Sequence, residues 1–524
     1  MDNLHQNPYE DIPVTPEPVS PPPERPRRFT IPTGSKELLF GFLVLLMGML
    51  MLNSLFFGGG FNLGFSIFAG TGLILAAVYL MASGAKPTVY SLLILVLDLA
   101  IIASFSRSND ALVDFVMVCF LILSTNLALC LMAGKNRFQT AGLTSLGDSF
   151  RTVTLLSTGK LPAAVGGLVA SSRKGGSAMK KAGAALLGVL IALPLLCILI
   201  PLLMKADAAF EGLLEKLPSL GAGEIIVTLL LGLPVGFWFY LRGVGLRHSP
   251  MPIAKEKKAP KGVNILTVNT VLIAVSVVYV VYLVSQLAYF SGGFAGVLPE
   301  EFTVAEYARR GFFEMAWICL VNLLTMCPAV GLCRKKEGRS PLLTRLLCLF
   351  IGLVTLFLVV SASAKMFMYI GSFGLTRLRV LTEVIMLFMG LTTLTVCAWL
   401  FLPKLPYMKV VLLTGLLIGA VVAWADVDTV VARYNVEAYQ SGKLETVDME
   451  TLTELGYGAV PYISQLRFDE DPEVAKAARN YFFRQRNFGN TSGKIKDFRY
   501  WNYAHDLADP YLLPEIQEPE HNAY

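Results

Sequence analysis

Asp98 stands in the middle of an apolar run, LILVLDLAIIAS, and is the first residue of this chain that could do chemistry. Taking a carboxylate out of water is costly, so one inside a membrane segment marks either a functional site or a satisfied structural contact. No Lys or Arg is expected in mid-span to neutralise it. Ser124, Thr125 and Asn126 lie at comparable depth in the next apolar run and are its candidate partners. Asp98 is then either a neutral, hydrogen-bonded group or, with Thr125 and Asn126, a proton- or cation-coupling site.

A second constellation consists of charges at the ends of later runs. Glu300, Glu301, Glu306, Arg309, Arg310 and Glu314 precede or open one of them. Lys365, Arg377, Arg379 and Glu383 bracket the turn between two more, and Asp426, Asp428 and Arg433 follow the last. Charges at a low-dielectric boundary must pair or be left at a cost of several kcal/mol each. These residues form either a salt-bridge belt that docks the C-terminal tail or a binding site for a ligand.

Other chemistries find no residues. The eight cysteines fall within or at the ends of apolar runs, where thiols behave as small hydrophobes. Cys327 and Cys333 bracket Pro328 without any nucleotide-hydrolysing domain beside them. The four histidines lie outside the apolar runs, so a haem or copper site in the bilayer has no imidazole ligands. SSRKGGSA, residues 171–178, lacks the spacing of a phosphate-binding loop. No nucleophile–base pair or two-histidine metal motif is legible, so neither catalysis nor a cofactor is expected.

The elements that must position these residues are helices in a bilayer. Of 524 residues 54% are hydrophobic and 16% charged, and the mean hydropathy is +0.59. Soluble globular chains carry about 25% charged residues, so this chain cannot cover several water-facing domains. It is also not a nucleic-acid binder of the ordinary basic kind. A membrane core is crossed by roughly 20 apolar residues in a helix. Eleven runs meet that measure: 38–56, 62–81, 88–105, 111–132, 183–204, 225–241, 263–289, 311–333, 342–364, 380–402 and 408–424. With the N-terminus in the cytoplasm, the inner segments carry 26 Lys and Arg and the outer loops 8. The positive-inside rule then places the tail outside the cytoplasm.

The expected organisation is an all-α, polytopic helical bundle. Residues 1–36 form a Pro-rich cytoplasmic tail that cannot bury enough apolar surface to fold. Residues 37–132 hold transmembrane helices 1–4 and residues 183–424 helices 5–11. Between them, residues 133–182 form a basic loop whose Arg151, Lys160, Arg173 and Lys174 are candidate contacts to an anionic inner leaflet. A second basic loop, Arg242–Lys261, reads as a flexible linker. Residues 425–524 form an acidic extracytoplasmic tail of 17 acidic and 10 basic residues. Within it, residues 452–483 read as one HEAT-like helical repeat, with Asp471-Pro472 as a helix start.

Four stretches carry a resemblance: VAEYARRGFFEM (304–315), SASAKMFMYIGSFGLTRLRV (361–380), VDTVVARYNVEAYQSGKLETVDMETLTELGYGAVPYISQL (427–466) and FRYWNYAHDLA (498–508). Together they resemble the bacterial membrane-protein family known as domain of unknown function 4173. Phe373 stands where that pattern has tyrosine. The resemblance implies a polytopic bacterial plasma-membrane protein and supplies no reaction or ligand. The sequence thus points to an envelope protein that senses or binds an extracytoplasmic protein or small molecule through its outer face and tail. The alternative is a proton- or ion-coupled transporter using Asp98.

Overall fold

The computed structural model describes residues 34–107, 110–136, 222–248, 264–294, 312–332, 341–402, 404–488 and 498–512, with a few isolated positions between 147 and 206. The fifth expected run, the Pro-rich N-terminus and the basic loop with Arg151, Lys160, Arg173 and Lys174 lie outside these residues or are described only at isolated points. All regular structure among the described residues is helical.

Ten apolar helices correspond to ten of the expected runs: α1 Ser35–Phe57, α2 Leu63–Ala82, α3 Val89–Ser104, α4 Ala111–Met132, α5 Ala222–His248, α6 Ile265–Phe294, α7 Phe312–Leu332, α8 Leu342–Phe373, α9 Arg377–Phe401 and α10 Tyr407–Ala425. Eight of them are long and apolar enough to cross a membrane; α3 and the apolar part of α7 are shorter. Their starts are fixed by local chemistry. The Asp110 carboxylate accepts the amides of Leu112 (2.9 Å) and Val113 (3.2 Å) ahead of α4, and Thr88 and Ser91 cap α3 reciprocally.

Two helices outrun the expectation by more than five residues. α8 continues to Phe373, so at 1.5 Å per residue its 32 residues reach about 48 Å, well beyond a bilayer core of about 30 Å. α5 continues through Arg242 to His248, so the expected linker begins at least seven residues later than its charge suggested. The run Gly243–Leu246 after Arg242 is apolar, and Val244 and Leu246 are fully buried.

α1 and α5 pack almost backbone to backbone. A Cβ on Gly48 would stand 2.6 Å from the Gly236 Cα, and one on Gly232 would stand 2.6 Å from the Met49 Cα. Lipid-immersed helices associate through such small-residue contacts, where dispersion replaces a hydrophobic drive. The glycines flanking Pro234, Gly232 and Gly236, therefore serve helix approach.

The tail consists of α11 Val427–Gln440, α12 Met449–Thr453, α13 Val460–Ile463, α14 Pro472–Phe488 and α15 Tyr503–Leu512, with short 3-10 turns at 457–459, 464–468 and 498–500. Asp471 caps α14 as expected, its carboxylate accepting the Glu473 amide at 2.8 Å. One continuous apolar core runs from α1–α5 and α10 into the tail, joining Leu80, Ile101 and Leu127 to Val431, Val460, Ile463 and Tyr481. α6–α9 hold separate cores around Cys348 and Ala362. The tail is built onto the first group of helices, not hung from the last.

Candidate functional site

α3 presents Asp98 to α4, where it is fully buried and accepts a hydrogen bond from the Ser124 hydroxyl at 2.6 Å. The other two expected partners turn to their own helix. Thr125 donates to the Leu121 carbonyl at 2.5 Å and the Asn126 amide donates to Ile122, leaving Asp98 Oδ2 and Asn126 Oδ1 without a hydrogen-bond partner.

The expectation that no basic residue shares this depth is corrected by Arg242. Carried inward by the longer α5, it is only 4% exposed, and its guanidinium lies over the Trp238 ring at 5.6 Å. Its Nη2 reaches Thr125 Oγ1 at 3.4 Å, and its Nε is buried without a partner. Arg242 and Asp98 feel each other's charge without forming an ion pair. A charge that ends a hydropathy window looks like a helix end, so the sequence alone puts this residue in the loop. The signal that could have found it is the apolar run after it.

Beside this cluster a cavity of about 380 Å³ runs between α1, α2, α4 and α5. Its walls are apolar apart from Thr125 and Arg242. On the α2 side Ala69, Gly72 and Ala76 recur at steps of three and four, and their small side chains leave the space open.

A second polar constellation lies where the tail meets the bundle. Arg377 at the start of α9 grips Asp428 of α11 with both arms, the Nη2–Oδ2 contact being 2.6 Å, and stands 3.7 Å from Asp110. Asp428 Oδ2 also accepts the Gly456 amide at 2.6 Å, and Arg377 donates to the Glu454 carbonyl at 3.2 Å. One guanidinium thus ties α4, α9, α11 and the chain after α12.

The remaining expected residues are more scattered. Arg379 donates to the carbonyls of Phe373 and Gly374 and lies over Tyr369, closing its own turn. Arg433 pairs with Glu437 on its own exposed helix face at 2.8 Å. Glu314 is exposed, Lys365 is half-buried, and half-buried Glu383 faces Ser363. Arg309 and Arg310, with Glu300, Glu301 and Glu306, lie outside the described residues, as does Cys333.

Sequence reasoning missed most of the contacts that hold the tail. Asn435 brackets Leu375, and Arg499 bonds Asn53 and Glu224, the latter at 2.7 Å. Asn502 donates to Asn62 and the Phe105 carbonyl, and Arg107 donates to the Trp424 carbonyl at 2.7 Å while lying over Tyr503. Asp426 between α10 and α11 has a left-handed backbone at φ 52°, and Thr429 donates to its carboxylate at 2.5 Å. A Cβ at Gly458 would clash with both side chains, so the YGAVP segment needs glycine there. Burial raises the Asp426 pKa, and burial holds the His505 imidazole, whose ring lies tilted against Tyr457 with centroids 4.0 Å apart, down at about 4.

A comparison with curated proteins and with solved structures finds no significant match. A family model does match, over residues 92–466, which hold Asp98, Ser124, Arg242, Arg377, Asp428 and Asn435. Its number differs from that of the family the motifs resembled. The match covers more than two thirds of the chain, which therefore belongs to the family described as "Domain of unknown function (DUF4153)".

Proposed function

We propose that this multi-pass membrane protein resides in a bacterial inner membrane and binds or senses an extracytoplasmic ligand through its tail face. The carrying observation is the core shared by the tail and α1–α5, tied at its rim by Arg377, Asp110 and Asp428. A ligand that shifts α11 or the chain after α12 strains Arg377 and, through Asp110, the start of α4. Further along α4, near its middle, lies Ser124, the partner of Asp98.

An N-terminus inside and a C-terminus outside are supported by the sorting of charge between the two ends. Lys135, Arg247 and His248 gather with Glu37 at the end away from the tail. α4 finishes at that end, whereas α5 begins beside Arg499 at the tail end, which supports an odd number of crossings between them and eleven in all. The pairing of residues 464–468 with α14 supports a HEAT-like unit in the tail. The proposed partner on the inner side is the anionic leaflet, met by Arg151, Lys160, Arg173 and Lys174.

The test is a thermal-stability screen of the purified protein against sugars, amino acids, peptides and small anions, repeated on a chain ending at Trp424. Stabilisation by a solute that disappears with the tail is expected. Stabilisation that survives truncation overturns the tail-face reading.

The second reading, a coupled carrier, draws on the unpartnered Oδ2 of Asp98. Asp98→Asn keeps the volume and can still accept from Ser124, but it cannot titrate. A carrier loses proton-driven uptake in vesicles on this change while remaining folded. An unaltered phenotype assigns Asp98 to structure. The apolar walls beside the cluster suit hydrocarbon better than a hydrated ion.

A further inference from the structure

The cavity between α1, α2, α4 and α5 has the shape and chemistry of a chain slot. Its lining follows α1 from Phe40 to Leu55, a length of about 22 Å at 1.5 Å per residue. A volume of about 380 Å³ spread over that length leaves a channel about one hydrocarbon chain wide. It lies at the lower end of the roughly 300–1,000 Å³ of small-molecule sites. One leaflet of hydrocarbon is about 15 Å deep, so the slot could accept most of one lipid chain.

The polar groups are confined to one place. Arg242 is six residues from the end of α5, about 9 Å inward from His248. It is more than nine-tenths buried, lines the cavity, and keeps a buried Nε–H without an acceptor. Among the described residues its one side-chain hydrogen bond is the long one to Thr125, and no carboxylate forms an ion pair with it. A guanidinium in a low-dielectric wall with a donor unspent is an anion site, because an unsatisfied buried donor costs about 1–3 kcal/mol or more when charged. The wall beyond it offers hydrocarbon contacts alone.

We propose that this slot holds a single-chain anionic amphiphile drawn from the bilayer, its acidic head group on Arg242 and its chain along α1 toward Leu55. Charge complementarity and the width of the slot together select this occupant. A two-chain lipid would need a second groove, and a cationic amphiphile would meet the guanidinium. The site stands apart from the tail-face reading, since no tail residue lines it.

The experiment uses the full chain in a neutral maltoside detergent, with a brominated stearate and a brominated stearyl-trimethylammonium as probes. Bromine quenches nearby tryptophan, and Trp238 lines the slot. Saturable quenching by the stearate is expected, lost in large part in Trp238→Phe. Arg242→Gln should raise the half-saturating concentration about tenfold or more, the worth of a charge-assisted hydrogen bond. Ala76→Phe, which leaves Arg242 in place, should abolish the binding by filling the slot. If Arg242→Gln fails to fold, the double variant Asp98→Asn/Arg242→Gln removes both charges and carries the same expectation.

Equal quenching by both head groups means mere partitioning and overturns the proposal. So does an absence of saturable quenching, the result if another segment of this chain fills the slot. Unchanged stearate affinity in the Asp98→Asn/Arg242→Gln double variant would make Arg242 only the counter-charge of Asp98, and would overturn it as well.

Discussion

Asn435 on α11 holds both polar groups of the Leu375 backbone, accepting from its N–H at 2.6 Å and donating to its C=O at 2.7 Å. Leu375 lies in the tight turn between α8 and α9, within one of the four stretches that carry the resemblance. A side-chain amide is the one neutral group that can satisfy a peptide unit in both directions, as a neighbouring strand would. Gly374 beside it has φ 73°, and a Cβ there would stand 2.5 Å from Asn435 Oδ1. Turn and tail are therefore built to one another's measure.

Asn435→Ala should cost about 1–3 kcal/mol, since it strands two peptide groups at a half-buried site. The reading is a lower melting temperature together with faster proteolysis of the tail in the purified protein. Asn435→Asp, which cannot donate when ionised, should recover only part of the loss.

Arg377→Ala leaves Asp428 and Asp110, both nearly buried, without their cation. Breaking a fully buried pair costs about 3–5 kcal/mol, and Arg377 is about a third exposed, so about 2–3 kcal/mol is expected. Arg433→Ala, which removes a surface pair, should change stability by less than about 1 kcal/mol. Equal effects of the two substitutions on tail protection would sink the assignment of the tie to Arg377.

Acid should loosen the tail through His505. Its folded pKa of about 4 lies below the unfolded value of about 6.5, so between these the unfolded chain binds the proton and the folded one does not. The stabilisation is complete above pH 6.5 and is lost as pH falls toward 4, by an amount on the order of 3 kcal/mol. Asp426, with its raised pKa, acts with the opposite sign toward lower pH, so the difference between wild type and His505→Gln isolates the histidine. A pH dependence identical in the two proteins would remove His505 from the account.

Gly48→Val should disrupt the α1–α5 pair, because the added carbons fall on the Gly236 backbone. Overpacking costs about 1–3 kcal/mol where the neighbour can give, and here the neighbour is main chain. Gly70→Ala on α2, whose Cβ would meet its nearest atom at 3.7 Å, is the control and should be neutral. Folded yield in detergent reads both.

A topology reporter fused after Tyr524 should be active only outside the cytoplasm. Cytoplasmic activity would reverse the sidedness and remove the outer-face argument with it.

Hydropathy alone determined that this chain is a helical membrane protein, and it placed the ten described apolar helices to within a few residues at most ends. Transfer of a side chain into hydrocarbon is a local quantity, additive along the run, and so can be read from a window. Capping is local too, which is why Asp471 was legible ahead of α14; depth alone offered Ser124, Thr125 and Asn126 to Asp98 alike, and the structure selects Ser124. The tertiary structure alone decided that Arg242 is buried and faces a slot, because a charge at the end of an apolar run reads the same whether the helix stops or continues. It also decided that Asn435 meets Leu375, that Arg499 meets Glu224, and that Gly48 meets Gly236. Those partners lie 60, 275 and 188 residues apart, and their pairing is fixed by how helices pack, for which no single stretch of sequence carries a signal.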